Sequence, residues 1–178
     1  MKRITLGLSA KEMREAAKQI REYRDDLSRR CERLCQRLCE EGILIAKSYI
    51  GESSFGKYIR LESELSPEKT GCKAVFYMED TQKIISQWQN LDGEQSKEIS
   101  PSLMIEFGAG LPAENPANIP GVGTGTYGSH GSDPGGWYYK DLTGVWHHAN
   151  GTAARLPMYY AGKDLAGKVE KIAKEVFS

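Results

Sequence analysis

The apolar positions of this chain fall first at helical spacing, then at strand spacing, then lose any period, and finally return to helical spacing. Met13, Ala16, Ala17, Ile20, Tyr23, Leu27, Cys31, Leu34, Cys35, Leu38, Ile45 and Tyr49 recur three and four residues apart, with Arg, Glu, Lys and Asp on the other faces. This predicts an amphipathic helix of up to about 40 residues, about 60 Å long at 1.5 Å per residue. Asp25-Asp26 and Gly42 are candidate bending points, and two helices in line are the alternative. Ser9 and Glu12 have the spacing of a capping box, in which hydroxyl and carboxylate each serve the other residue's backbone amide. Upstream, Ile4 to Leu8 alternates and predicts a short edge strand.

From Gly56 to Asn90 the period is two. Tyr58 to Leu65 and Cys72 to Met78 flank the turn-rich Ser66 to Gly71, predicting a β-hairpin, and Lys83 to Gln89 predicts a third antiparallel strand. Ser100-Pro101 is a helix start, with Ser as cap and Pro at the first helical position, and Gly108 is its stop. Residues 109–136 are rich in Gly, Pro, Asn, Ser and Thr and carry no period, so a flexible loop or arm is expected. Trp137 to Tyr139 and Val145 to His148 predict two short aromatic strands. Pro157 then opens a second amphipathic helix, with Met158, Ala161, Leu165, Val169, Ile172 and Val176 on one face. The order implies one α+β domain over 1–178: an antiparallel β-sheet packed against a long N-terminal helix and a C-terminal helix, with a long Gly-rich loop.

Composition changes this picture little. The 178 residues suit a single domain, and 39% apolar content with 19 glycines fits a chain partly given over to an arm. Lys+Arg and Asp+Glu both number 24, so no global field points to nucleic acid or an anionic membrane. No apolar run approaches the ~18 residues a transmembrane helix needs, and the N-terminus lacks a signal-peptide pattern. The expectation is a soluble protein made in a cytoplasm. Cys31, Cys35 and Cys39 lie four apart on the long helix and Cys72 stands in a strand. No zinc spacing is present, which predicts reduced core thiols.

Candidate chemistry is sparse. Gly123-Thr124-Gly125-Thr126-Tyr127-Gly128 fits G-x-G-x-x-G but has neither the strand before nor the helix after that a dinucleotide site requires. His147 and His148 are adjacent, so in a strand they point to opposite faces, and no acidic partner or nucleophile elbow accompanies them or His130. Residues 1–50 hold 12 Lys+Arg against 8 Asp+Glu, a local excess of four. Arg29, Arg30, Arg33 and Arg37 cluster on the long helix, where a solvated or subunit-pairing face is the simplest reading.

Two stretches carry a family likeness. Ile105-Glu106-Phe107-Gly108-Ala109-Gly110 resembles the E-F-G turn of the phage minor-capsid or putative tail-component family, although Ala109 stands where many members have Thr. Arg155-Leu156-Pro157-Met158-Tyr159-Tyr160-Ala161 resembles the segment that opens the last helix in that family. The order of elements fits along essentially the whole chain, with Gln82 to Ile99 longer than the family's minimal pattern.

The resemblance implies a structural virion protein, not an enzyme, at the head–tail junction or tail terminus of a long-tailed phage. Its copies would form a ring, of six in this reading, stacked between head-connector and tail-tube or terminator proteins. DNA would pass only through the lumen, no membrane would be contacted, and no cofactor or metal is implied. The contacts expected between copies are Ile20 and Tyr23 on the long helix, Phe107, Tyr127 in the arm, and Trp137. The alternatives are a nucleic-acid-binding module using the Arg-rich helix and a small hydrolase using His147 or His148.

Overall fold

The structure is a computed structural model that describes residues 9–69, 71–90, 93–108, 137–140, 143–149 and 153–178. Helix α1 spans Ala10–Ile50 without interruption, followed by a 3-10 turn at Gly56–Tyr58. Strands β1 (Ile59–Glu68), β2 (Gly71–Asp80), β3 (Ile84–Asn90) and β4 (Gly93–Ile99) lead to helix α2 (Pro101–Phe107). Strands β5 (Trp137–Lys140) and β6 (Trp146–Ala149) precede helix α3 (Pro157–Phe177). The α+β class expected from the periodicity holds. The strand expected at Ile4 to Leu8 and the arm at 109–136, with its G-x-G-x-x-G, lie outside the described residues.

The single sheet expected is in fact two. β1 and β2 form a two-stranded hairpin, and the other four strands form an antiparallel sheet in the order β4-β3-β5-β6. β3 therefore does not extend the first hairpin. It pairs along its full length with β4, from Ile84 opposite Ile99 to Asn90 opposite Gly93, and on its other side with β5 through Ile85 opposite Lys140. β4 escaped the sequence reading because Glu94-Gln95-Ser96-Lys97-Glu98 has no apolar alternation. As an edge strand it needs none, and Asp92-Gly93 was the available hairpin signal.

The chain divides into two compact units, with α1, the first hairpin and α3 each contributing to both. One unit comprises residues 41–62 and 76–166 and holds the main core. There Ile50, Phe55, Tyr58, Ile84, Ile99, Met104 and Ile105 pack together, while Ile45 and Ala46 of α1 meet Ala161 of α3, flanked by Tyr49, Phe76, Met158 and Leu165. The other unit comprises residues 1–40, 63–75 and 167–178. Among its described residues the buried apolar members are Ala16, Cys39 and Ile172.

The ends of the helices follow the sequence closely. The Ser9 hydroxyl accepts from the Glu12 amide at 3.2 Å while the Glu12 carboxylate accepts from the Ser9 amide at 3.1 Å, closing the capping box. α1 stops at Gly51, whose φ of 53° continues no helix, and the Arg155 guanidinium donates to the Ile50 carbonyl at 2.7 Å, placing a cation on the negative end of the helix. Ser100 caps α2, accepting from the Leu103 amide at 3.3 Å. It also donates to Asp80 at 2.5 Å, and Asp80 further accepts from the Ser102 amide at 2.7 Å and from Lys83 at 2.6 Å. Burial pushes the Asp80 carboxyl up, but these bonds outweigh it and hold the group below its ordinary range.

Gly42 does not break α1; it admits the hairpin. A Cβ there would lie 2.9 Å from the Phe76 ring, closer than van der Waals contact allows. Gly42→Ala should therefore lower the melting temperature despite a helix-propensity gain of about 1 kcal/mol, and should become neutral or stabilising in a Phe76→Ala background. A cycle with no coupling between the two positions would refute the contact.

The Asp80 contribution has a defined sign. A carboxyl depressed in the folded state stabilises fully above its unfolded range and loses that stabilisation as pH falls below about 4. Asp80→Asn should cost about 1–3 kcal/mol at neutral pH and flatten the acid limb of a stability-versus-pH curve. An unchanged acid limb would show that Asp80 does not carry it.

Candidate assembly surface

Along α1 the positions 13, 16, 20, 23, 27, 30 and 34 advance by alternating steps of three and four, the seam of a coiled coil. From Arg30 onward this side of the helix has partners within its unit. Arg30 donates to the Val176 and Ser178 carbonyls at 3.5 and 3.4 Å, capping the end of α3, and Arg37 pairs with Glu175 at 2.8 Å. The Cys35 thiol points at the Cys72 carbonyl at 3.3 Å, and Leu34 and Cys31 are half-buried.

N-terminal to Arg30 the large side chains of the row are exposed. Met13 is 50% exposed, Ile20 and Tyr23 51% and Leu27 41%, while the small Ala16 between them is buried. Four large apolar side chains half in water on successive turns of one helix face form a patch of the kind that marks interfaces. The polar flanks are held by surface ion pairs, Lys18 with Glu22 and both Arg29 and Arg30 with Asp26, which add little stability of their own.

The structure treats the expected contact residues unequally. Ile20 and Tyr23 share the exposed row, as their spacing implied. Met13 and Leu27 belong to the same row but were not singled out, although the three-four step identifies them. Phe107 is half-buried at the end of α2, and Trp137 opens β5 opposite Ala149; both belong to the other unit. Tyr127 lies outside the described residues.

Among the described residues the rival chemistries find little support. His147 and His148 sit opposite Tyr139 and Tyr138 on successive positions of β6, which face opposite sides. Among the described residues no group of three or more His, Cys, Asp or Glu is placed to hold a metal. Of the arginine cluster, Arg29, Arg30 and Arg37 are engaged with acidic or carbonyl partners and Arg33 is exposed. All four cysteines are free, but only Cys39 is buried, so the expectation of core thiols is met in part. Burial and the neighbouring Cys72 thiol push Cys35 up to about 11, away from the range of a nucleophilic thiolate.

The two segments that carry the family likeness meet. The Arg155 amide donates to the Ile105 carbonyl at 2.8 Å and the Leu156 amide to the Glu106 carbonyl at 3.3 Å. The Glu106 side chain, 8% exposed, accepts from the Met158 amide at 3.0 Å and the Tyr159 amide at 3.2 Å. It thereby caps α3 from α2. The need was written in the sequence: Leu156, the residue before Pro157, has no side-chain acceptor to cap the helix itself. Burial pushes the Glu106 carboxyl up, and the two amide bonds offset only part of that rise.

Comparisons with protein-family profiles, curated proteins and solved structures find no match to this chain. Among the described residues, no helix is long and apolar enough to cross a membrane.

The capping role of Glu106 is directly measurable. Glu106→Ala leaves two partly buried amides without their acceptor and should cost about 1–3 kcal/mol, whereas Glu106→Gln keeps one acceptor and should cost about half as much. Equal losses in the two variants, read by denaturant unfolding, would mean that packing rather than hydrogen bonding holds this junction.

Proposed function

We propose that the protein is a non-enzymatic structural subunit of a long-tailed phage, acting at the head–tail junction or tail terminus as one copy of a ring. It would serve in tail completion or head–tail joining. The observation that carries this reading is the exposed row Met13, Ile20, Tyr23 and Leu27 on α1. The row contributes little to the fold of its own chain, and its spacing is that of a helix made to meet another protein. The bonded junction of the Ile105–Gly108 and Arg155–Ala161 segments also supports the reading, because it makes the two short likenesses parts of one structural feature. Its partners would be further copies of itself and the head-connector and tail-tube or terminator proteins, with DNA passing only through the lumen.

A phage or prophage carrying Ile20→Glu together with Tyr23→Glu tests this. The expected result is filled heads and separate tails with few joined particles. The variant protein would be missing from the particle fraction, yet in purified form it would keep its helical signal and cooperative melting. Normal yields of joined particles, or absence of the wild-type protein from every particle fraction, would refute the assignment.

A further inference from the structure

The exposed row of α1 is complementary to itself when a second copy is laid against it in the opposite direction. We propose that the free protein pairs with a second copy through this row, in an antiparallel register that sets Ile20 against the partner's Tyr23. The inference rests on reading the row as a contact between copies, and adds its geometry.

The register follows from packing and charge together. With Ile20 opposite the partner's Tyr23, the exposed Ile20 and Tyr23 of both copies meet at the centre of the contact, and Met13 lies along the apolar stem of the partner's Arg30. The flanking positions then place Glu12 beside the partner's Arg33 and Gln19 beside the partner's Asp26, and symmetry makes each pair occur twice. Both bonds that Glu12 receives from Ser9 fall on Oε2, which leaves Oε1 for a second donor, and Arg33 is exposed.

The neighbouring arrangements are worse. Sliding one heptad in one direction brings Glu12 beside the partner's Asp26; sliding in the other brings Asp26 beside the partner's Asp26 and Ile20 against the partner's Arg30. A parallel pair in register stacks Arg30 on the partner's Arg30 and matches no opposite charges along its flanks. Repulsion between like charges thus selects against each competitor, while the packing favours the chosen one.

The paired stretch, residues 10–33, is about 36 Å long, which suits a reversible association rather than an obligate dimer. A two-fold contact also closes on itself. The pair would cover the row while the protein is free, and entry into a polar ring would require it to open.

Sedimentation of the full chain over a range of concentrations should show a monomer–dimer equilibrium. Ile20→Glu with Tyr23→Glu should raise the dissociation constant at least about tenfold. Glu12→Arg and Arg33→Glu should each weaken pairing several-fold, and the double variant should recover wild-type affinity to within about twofold. A wild-type monomer at all concentrations overturns the proposal, as does a dimer indifferent to Ile20→Glu/Tyr23→Glu. Pairing that the apolar variant abolishes but the charge swap does not restore overturns the antiparallel register. Should Ile20→Glu/Tyr23→Glu lose cooperative melting, Ile20→Ser with Tyr23→Ser provides the same reading. Pairing in solution by a protein absent from particles would keep this inference and remove the phage assignment; a strict monomer that enters particles would do the reverse.

Discussion

A carboxylate shut away from water must be matched, and the amino end of α3 matches Glu106. The first amides of a helix have no partners inside it and carry partial positive charge, so the two needs satisfy each other. This fixes where α3 begins and which way it leaves the junction. Leu156, immediately before it, is held at a φ of 49°, a region that non-glycine residues seldom occupy. Its burial and the Glu106 carbonyl bond hold it there. Once α3 is seated, Ala161 meets Ala46 with no side chain bulky enough to separate the helices. Tyr160 stacks on Tyr49 at 4.8 Å, and the Tyr49 hydroxyl donates to Asp164 at 3.0 Å. The second core cluster depends on one buried acid.

The sequence reading succeeded where local rules decide. α1, α2 and α3 were legible because each start and stop is written in neighbouring residues: Ser9 with Glu12, Ser100 with Pro101, Gly108, Pro157. It failed where pairing partners had to be chosen. Period-two patterning marks a strand but does not say which strand lies beside it, so β3 was assigned to the first hairpin when it belongs to another sheet. β4 was invisible to hydrophobic alternation because its sequence is polar up to its last residue, the buried Ile99. Glu106 drew attention only as part of a short likeness, since its role depends on a helix that begins some fifty residues later.

The candidate surface divides the same way. Spacing alone placed Ile20 and Tyr23 on one face of α1, but it could not say where that face stops being internal. The structure puts the boundary at Arg30, whose guanidinium closes the end of α3. The arginine cluster illustrates the converse. Four basic residues in nine positions read most simply as a solvated or subunit-pairing face, yet Arg30 and Arg37 fasten two helices of the same chain, and Arg29 is paired within its own. A run of charge in sequence carries no information about the acids that fold brings beside it.

The edge strand β4 has a consequence for how this protein behaves when crowded. An open sheet edge is a template on which a second chain can add a strand, the first step toward fibres. β4 meets that hazard with Glu98, an exposed charge that disfavours the close backbone approach strand addition demands. In β1, Pro67 removes an amide and lowers the capacity of the small hairpin to recruit a neighbour. These two edges are thus poor adhesives, and the proposed contact falls instead on a helix face. A chain that meets its own kind through a helix face, as proposed, would reach high concentration without growing fibres from these edges.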